Sequence, residues 1–242
     1  MPEWITKLIQ DFNTAFIVDG RWKYLVEGVR NTLILTFFAL VLGVALGIII
    51  AAVRVTYDKQ YHQMKKGISK FLLCIGNIIS KIYLTVIRGT PAMVQILIIF
   101  FIIMASSNNK MLCGIIAFGV NSAAYVAEII RGGIMSIDEG QTEAGRSLGF
   151  NYTQTMAFII LPQTFKSILP ALANEFIVLL KETAIAGYVG VTDLTRGANI
   201  IRGITYQSFW PLLAIAAIYL VMVMFFTWLV GILERRLRRS ER

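Results

Sequence analysis

Four polar side chains interrupt long apolar stretches of this sequence: Gln95, Asn121, Ser122 and Glu175. Polar groups at membrane depth are costly and mark contact with a solute or a bond to another helix. Glu175 has the chemistry to accept an ammonium group, and Asn121 and Ser122 can donate to a carboxylate. For Glu175, binding of a solute is the better explanation. For Ser122, a hydrogen bond between two helices is the better explanation. Both explanations stay open for Gln95 and Asn121.

The composition is that of a membrane protein. Of the 242 residues, 57% are hydrophobic and 15% are charged, and the mean hydropathy is +0.69. Soluble domains are about 45–50% apolar and about 25% charged, so the chain is predicted to be an all-α protein that crosses the membrane several times. Cys74, Cys113 and the single histidine, His62, lack metal-site spacing, and neither a metal nor another cofactor is expected.

Five stretches reach the roughly 20 residues that cross a bilayer. They cover residues 31–53, 86–104, 111–130, the segment after Pro162 to about Ala186, and 209–233. Gly43 and Gly47 form a G-x-x-x-G spacing in the first, which is typical of close helix packing and also of ordinary membrane helices. The apolar middle of residues 65–82 looks too short to span, and suits a surface helix or an inward extension of the second span.

The distribution of positive charge predicts the orientation. With the C-terminus inside, the inner segments hold 13 Lys and Arg and the outer segments hold 7. Because inner loops carry the excess of positive charge, the prediction is N-outside and C-inside. The expected organisation is an external or interfacial segment over 1–30, a transmembrane domain over 31–236 and a basic cytoplasmic tail over 237–242. The net charge of +9 is therefore assigned to the membrane surface, and no nucleic acid is expected.

Depth along the spans brings the polar residues to one level. Counting about 1.5 Å per helical residue, Gln95, Asn121, Ser122 and Glu175 fall near the middle of three spans. The segment Arg88-Gly89-Thr90-Pro91 interrupts the helix before the proline and is predicted to be a hinge or a gate. The alternative for Arg88 is that its side chain only reaches the inner membrane surface.

The loop over residues 131–162 is unusually polar for this chain. Ser136 and Glu139 match a capping box, which predicts a helix from Ile137, and Gly149 is a natural helix stop. A second helix capped by Asn151 is expected to end near Leu161 and Pro162. The apolar tip formed by Leu148 and Phe150 fits either a docking surface for a partner or a linker without one.

Several stretches of the chain resemble a known family. The sequence EAGRSLG at 143–149, followed by IILPQ at 159–163, is similar to the EAA loop of ABC importer permeases. VIRGTPAMVQ (86–95), NSAAYVAEIIRGGI (121–134) and LPQTFKSILPALANEFIVLLKET (161–183) resemble the polar amino-acid branch of that family. The likeness covers about residues 24–236. It departs from the usual pattern at Gly145, where the family has alanine, and at Glu182-Thr183-Ala184.

The resemblance implies the type I ABC importer permease fold and a role in amino-acid import. The loop would be the coupling helix that seats in a cytoplasmic ATPase. The residues assigned to this contact are Glu143, Ala144, Gly145, Arg146, Leu148, Gly149 and Phe150. A solute-binding protein outside the cell and a second permease subunit, identical or related, would complete the complex. Because the chain has no Walker sequence, ATP hydrolysis is expected from a separate subunit, and the chain itself is not expected to be an enzyme.

Three alternatives remain at this stage. A secondary transporter driven by an ion gradient would usually contain internal repeats, and none is convincing here. A scaffold or sensor would not need polar groups at one depth. An ABC permease for a solute other than an amino acid would share the coupling loop.

Overall fold

The computed structural model describes residues 2–239, so the last three residues of the predicted basic tail lie outside it. Every regular element among the described residues is helical. The α-helices are α1 Glu3–Phe12, α2 Trp22–Gln60, α3 Ile68–Gly89, α4 Ala92–Ile98, α5 Lys110–Met135, α6 Glu139–Ser147, α7 Tyr152–Thr155, α8 Leu161–Glu182, α9 Leu194–Thr205 and α10 Phe209–Arg239. Short 3-10 helices at Val18–Gly20 and Thr183–Val189, and π-helical turns at Asn13–Ile17, Ile99–Ile103 and Met156–Ile160, connect or extend them.

Five helical segments among the described residues are long and apolar enough to cross a membrane, which confirms the predicted fold class. They are Trp22–Gln60, Ile68–Gly89, Lys110–Met135, Tyr152–Val189 and Phe209–Leu237. The bounds predicted for the second, 86–104, were wrong. Lys81 is exposed and did not end the apolar stretch, because a lysine stem packs along apolar surface while its charge reaches water. The break falls instead at Pro91, and Ala92–Ile103 forms a shorter apolar helix.

The chain divides into two compact units. The first contains Met1–Ala39, Ile96–Phe118 and Phe176–Leu229. Its buried core consists of Ala15, Phe16, Leu25, Leu180, Leu194, Ala198, Ile201 and Met222. Within this unit, the turn before α9 is bonded to α2, because Asn31 Nδ2 donates to the Thr192 carbonyl (2.7 Å) and the Leu194 N–H donates to Thr32 Oγ1 (3.1 Å).

The second unit contains Leu40–Gln95, Gly119–Glu175 and Val230–Arg242. Here α2 packs on α5 through the two glycines of the G-x-x-x-G spacing. A Cβ at Gly43 would lie 3.0 Å from Ser122 Cβ, and one at Gly47 would lie 2.6 Å from Val126 Cγ1. The close packing anticipated from this spacing is therefore present, and it fixes the part of α5 that carries Ser122.

The polar loop folds as a helix, a glycine turn and a second helix, with two boundaries that differ from prediction. Asp138 rather than Ser136 caps α6, because its Oδ1 accepts from the Gly140 N–H at 2.7 Å. The second helix does not end near Pro162: a π-helical turn at Met156–Ile160 leads directly into α8, and such local adjustments let a helix pass a proline. Gly149 has φ of 84°, and Asn151 caps α7 as predicted, in a capping box with Gln154 that was not predicted.

Candidate functional site

Gln95 and Asn121 form one of two buried polar pairs around α5. Asn121 Nδ2 donates to Gln95 Oε1 at 2.8 Å. The amide nitrogen of Gln95 donates in turn to the Ile87 carbonyl at 2.7 Å and to Thr90 Oγ1 at 2.7 Å. Gln95 therefore joins the middle of α5 to the helix break between α3 and α4.

Ser122 and Glu175 form the second pair. Ser122 Oγ donates to Glu175 Oε1 at 2.8 Å, and the two residues are 0% and 8% exposed. Since successive helical residues are about 100° apart around the axis, Asn121 and Ser122 point in different directions from α5. The structure thus places all four predicted residues in buried positions around α5, arranged as two separate pairs.

The Arg88-Gly89-Thr90-Pro91 segment is a genuine interruption of the helix. Helix α3 ends at Gly89, and Thr90 is extended with φ −122° and ψ 150°, the conformation favoured before proline. Arg88 Nη1 lies 3.7 Å from Glu128 Oε2 on α5. The side chain of Arg88 is about half exposed, at 48%. Arg88 therefore both pairs with Glu128 and remains in contact with the surroundings of the protein.

Arg88 belongs to a network of ion pairs that was not predicted from the sequence. Glu128 Oε2 also lies 3.2 Å from Arg131 Nη2, and Arg131 Nη1 lies 3.6 Å from Asp58 Oδ2 on α2. The spacing of Glu128 and Arg131, three residues apart on a helix, is the signal that predicts their contact. Nothing local in the sequence indicates that Arg88 and Asp58 come from other helices to join them.

The polar loop over residues 131–162 is closely packed at its centre. A Cβ at Gly145 would lie 2.8 Å from Thr155 Cγ2 and 2.9 Å from Thr155 Oγ1. Gly145 is buried, so α6 packs directly on Thr155, the last residue of α7. This contact explains why the chain has glycine where the family pattern usually has alanine.

The end of the loop presents apolar side chains to its surroundings. Leu148 is 73% exposed and Phe158 is 69% exposed. The ring of Phe150 lies 6.3 Å from that of Phe158, measured between centroids. The predicted tip of Leu148 and Phe150 is therefore present and includes Phe158, which sequence reasoning had not assigned to it.

The C-terminal end of α2 contacts α6, the first helix of the loop. Lys59 Nζ lies 3.2 Å from Glu139 Oε1, and Arg146 Nη2 donates to Gln63 Oε1 at 3.4 Å. A polar groove of about 190 Å³ separates the two elements, and it is lined by Lys59, Gln63, Glu139, Thr142, Glu143, Arg146 and Tyr152. Arg146, one of the residues assigned to the ATPase contact, bonds here to Gln63, just beyond the end of α2.

Comparison with known proteins places the chain in a family. Residues 75–239 match the model of the binding-protein-dependent transport system inner membrane component. The putative glutamine transport system permease protein GlnP of Rickettsia typhi is 35% identical, over 88% of this chain and 93% of that protein. The arginine transport system permease protein ArtQ of Bacillus subtilis is 33% identical, over 90% and 94% respectively.

Solved structures agree with this assignment. A crystal structure of an amino acid ABC transporter with histidines is 42% identical, covers 88% of this chain and 94% of the other, and superposes with a TM-score of 0.77. The MetNI methionine ABC transporter has the same fold, with a TM-score of 0.72 at 19% identity.

The chain therefore belongs to the family of inner membrane components of binding-protein-dependent transport systems. It is a multi-pass membrane protein with the type I ABC importer permease fold, and its relatives include permeases of amino-acid importers. The class predicted from the sequence, the permease subunit of such an importer, is confirmed.

Proposed function

We propose that this chain forms half of the translocation path of an ATP-driven importer of polar amino acids. The observation that carries the proposal is the buried Ser122–Glu175 pair inside a permease whose relatives are named for glutamine and arginine transport. One chain contributes five spans, and we infer that a second copy or a related permease supplies the other half.

The two buried pairs supply complementary chemistry for an amino acid. Glu175 offers a carboxylate to the α-ammonium or to a cationic side chain, and Ser122 holds one of its oxygens. The amide nitrogen of Asn121 carries two N–H donors, and one of them bonds Gln95 in this structure. The substrate carboxylate would take a hydrogen bond from this amide.

Gln95 gives the site a connection to the proposed hinge. Its amide nitrogen contacts the Ile87 carbonyl and Thr90 Oγ1 on the two sides of Gly89. A substrate that competes for Asn121 changes the hydrogen bonding of Gln95, and with it the support of the Arg88–Pro91 segment. We assign this segment the role of a gate that responds to occupancy of the site.

The coupling loop provides the connection to ATP hydrolysis. Two cytoplasmic ATPase subunits would each receive one loop, with Leu148, Phe150 and Phe158 forming the apolar contact and Glu143 the polar one. Nucleotide chemistry then belongs to those subunits, and closure of the ATPase pair would move the loop. A solute-binding protein would deliver the amino acid on the opposite face of the membrane.

Co-purification tests the proposed ATPase contact. The wild-type chain should retain an ATPase subunit through affinity purification from its native membrane. Leu148→Asp introduces a charge at the exposed tip and should release that subunit, whereas Lys65→Asp, at an exposed position outside the loop, should retain it. An unaltered ATPase yield with Leu148→Asp would contradict the assigned surface, and absence of any ATPase from the wild type would contradict the proposed partner.

The proposed topology, N-outside and C-inside, has its own test. A cysteine at the exposed Thr153, with Cys74 and Cys113 replaced by serine, should react with an impermeant thiol reagent only after the inner face is opened. Labelling in intact cells would reverse the orientation and remove the coupling role from the loop.

A further inference from the structure

The first helix, α1, is amphipathic and has no buried residue. Plotted at 100° per residue, its apolar residues share an arc of about 140° and its polar residues occupy the opposite side. The apolar residues are Trp4, Ile5, Leu8, Ile9 and Phe12, and the polar ones are Glu3, Thr6, Lys7, Gln10 and Asp11. Trp4 is 65% exposed and Ile9 is 48% exposed, so a large apolar surface has no cover within this unit of the protein.

The C-terminal end of α1 is held at the beginning of α10, the last membrane span. Gln207 Nε2 donates to Asp11 Oδ1 at 2.8 Å. The ring of Phe12 packs edge-to-face on Trp210, with centroids 5.2 Å apart, and on Phe16 at 5.1 Å. These contacts fix α1 at the level where α10 begins, which for a span that starts at Phe209 is the boundary between membrane and water.

An apolar groove of about 220 Å³ lies between α1 and Trp210, at the beginning of α10. Its lining residues are Ile5, Leu8, Ile9, Phe12 and Trp210. Other aromatic residues of the same unit are also exposed, namely Trp22, Tyr206 and Phe209. Tryptophan and tyrosine concentrate at membrane–water interfaces, so the groove opens into a region whose residue types suit lipid.

We propose that α1 lies in the membrane–water interface, and that acyl chains of bilayer lipid fill the groove between α1 and Trp210. The apolar side of α1 contacts α10 through Phe12 and Trp210, and α10 exposes apolar side chains that include Leu212, Leu213 and Leu220. Polar residues occupy its other side, toward water. The helix precedes the region matched by the family, residues 75–239, and the inference does not depend on the transported solute.

The net charge of α1 indicates that its binding to lipid does not depend on anionic headgroups. Glu3, Lys7 and Asp11 give it a formal charge of −1, which provides no attraction for anionic headgroups. Burial of apolar side chains must then supply the affinity, in contrast to basic amphipathic helices that need anionic lipid.

Site-directed spin labelling tests this placement. Cysteine replaces Ile9 on the apolar side or Lys7 on the polar side, with Cys74 and Cys113 changed to serine, and the labelled complex is reconstituted in vesicles of zwitterionic phospholipid. The Ile9 label should collide several-fold more with oxygen than with a water-soluble nickel chelate, and the Lys7 label should show the reverse preference. Both replaced side chains lie on an exposed helix, so folding should be preserved, and elution of the intact complex confirms it.

Three results would overturn the inference. Equal and high access of the nickel chelate to both labels would place α1 in water. Protection of the Ile9 label from both reagents would mean that protein, a second copy or a binding protein, covers the groove. An Ile9 oxygen preference that appears only with anionic lipid would contradict binding by apolar burial.

Discussion

Ser122 Oγ donates a hydrogen bond of 2.8 Å to Glu175 Oε1, joining two buried side chains from α5 and α8. The donor is a neutral hydroxyl, and it holds one oxygen of the Glu175 carboxyl group in place. Asn121 lies next to Ser122 and bonds Gln95 in another direction. One turn of α5 thus organises both the acidic and the amide groups proposed to contact the substrate.

Replacing Glu175 by glutamine tests its role in binding. Glu175→Gln keeps the size and a hydrogen-bonding oxygen but removes the charge. If Glu175 binds the cationic part of the substrate, loss of a charge-assisted hydrogen bond should weaken affinity by about 1.5–3 kcal/mol, roughly ten- to a hundredfold. The measurement is KM for uptake of arginine, glutamine and histidine. Arginine should suffer most if its side chain reaches Glu175, and all three equally if the α-ammonium does.

The matched control is Ser122→Ala, which removes the neutral donor and leaves the carboxylate. Its KM should rise less than that of Glu175→Gln, because the charge remains. Unchanged KM and maximal rate for all three amino acids in Glu175→Gln would assign Glu175 a structural role and move the proposed pocket toward Asn121.

Gly149 should be essential for coupling because of its backbone conformation. Its φ is 84°, and a Cβ there would meet no atom within 4 Å. Any defect on substitution therefore reflects backbone strain or the contact with the ATPase rather than crowding within this chain. Gly149→Val should lose transport-stimulated ATP hydrolysis, whereas Gly149→Asn should retain most of it, since asparagine tolerates positive φ. Normal coupling in the valine variant would show that the turn does not require glycine.

Replacing Gly145 by alanine should destabilise the loop, although intrinsic helix propensity favours alanine. Alanine in a helix is favoured over glycine by up to about 1 kcal/mol, but its Cβ would lie under 3 Å from two side-chain atoms of Thr155. Gly145→Ala should therefore make the loop more susceptible to limited proteolysis. Thr155→Ala removes both of these atoms and leaves only the flexible end of Ile159, at 3.1 Å, so in that background Gly145→Ala should protect the loop. Equal effects of Gly145→Ala in the two backgrounds would mean that the residues do not interact.

Asp193 predicts a pH dependence of stability. It lies between two spans, is fully buried, and caps α9 by accepting from the Arg196 N–H at 2.8 Å. Burial raises its pKa from 3.8 to about 6, against the opposing effect of backbone hydrogen bonds from Arg196 and Thr195. Because the folded state holds the proton more tightly than the unfolded state, this contribution to stability is complete below about pH 4 and is lost as the pH rises through about 6.

The difference of about two pKa units corresponds to roughly 3 kcal/mol, an order-of-magnitude value. The apparent melting temperature of the purified protein should fall between pH 4 and 6.5, and Asp193→Asn should flatten this part of the profile while keeping the helix cap. Asp138→Asn, which changes an exposed helix-capping aspartate, serves as the control and should keep the slope. A persistent slope in Asp193→Asn would assign the pH dependence to other groups.

Patterns within single segments predicted much of this fold. The number of spans, the glycine turn at Gly149 and the cap at Asn151 all depend on local composition and geometry. The second span was misplaced because the apolar middle of residues 65–82, bounded by lysines, was judged too short to span, although an exposed lysine such as Lys81 can reach water from the membrane edge. The cap at Asp138 was missed because Ser136 and Glu139 offered a competing pattern only two residues away.

The burial of the four candidate site residues was predictable from the sequence, but their hydrogen bonding was not. Depth counting selected Gln95, Asn121, Ser122 and Glu175, and all four are buried. It could not show that Asn121 and Ser122, as neighbours on a helix, serve different partners. The contacts of Arg88 with Glu128 and of Asp58 with Arg131 depend on how separate helices pack, which a single sequence does not specify.

ATP-dependent uptake in vesicles tests the central claim most directly. The measurement uses the complete complex, with its ATPase and binding protein, and follows a radiolabelled amino acid in competition with unlabelled arginine, glutamine, histidine and a sugar. We predict accumulation that requires ATP, persists when ion gradients are collapsed, and is inhibited by at least one polar amino acid but not by the sugar. Accumulation that follows an ion gradient without ATP, or inhibition by the sugar alone, would contradict the assignment of this chain to an amino-acid importer.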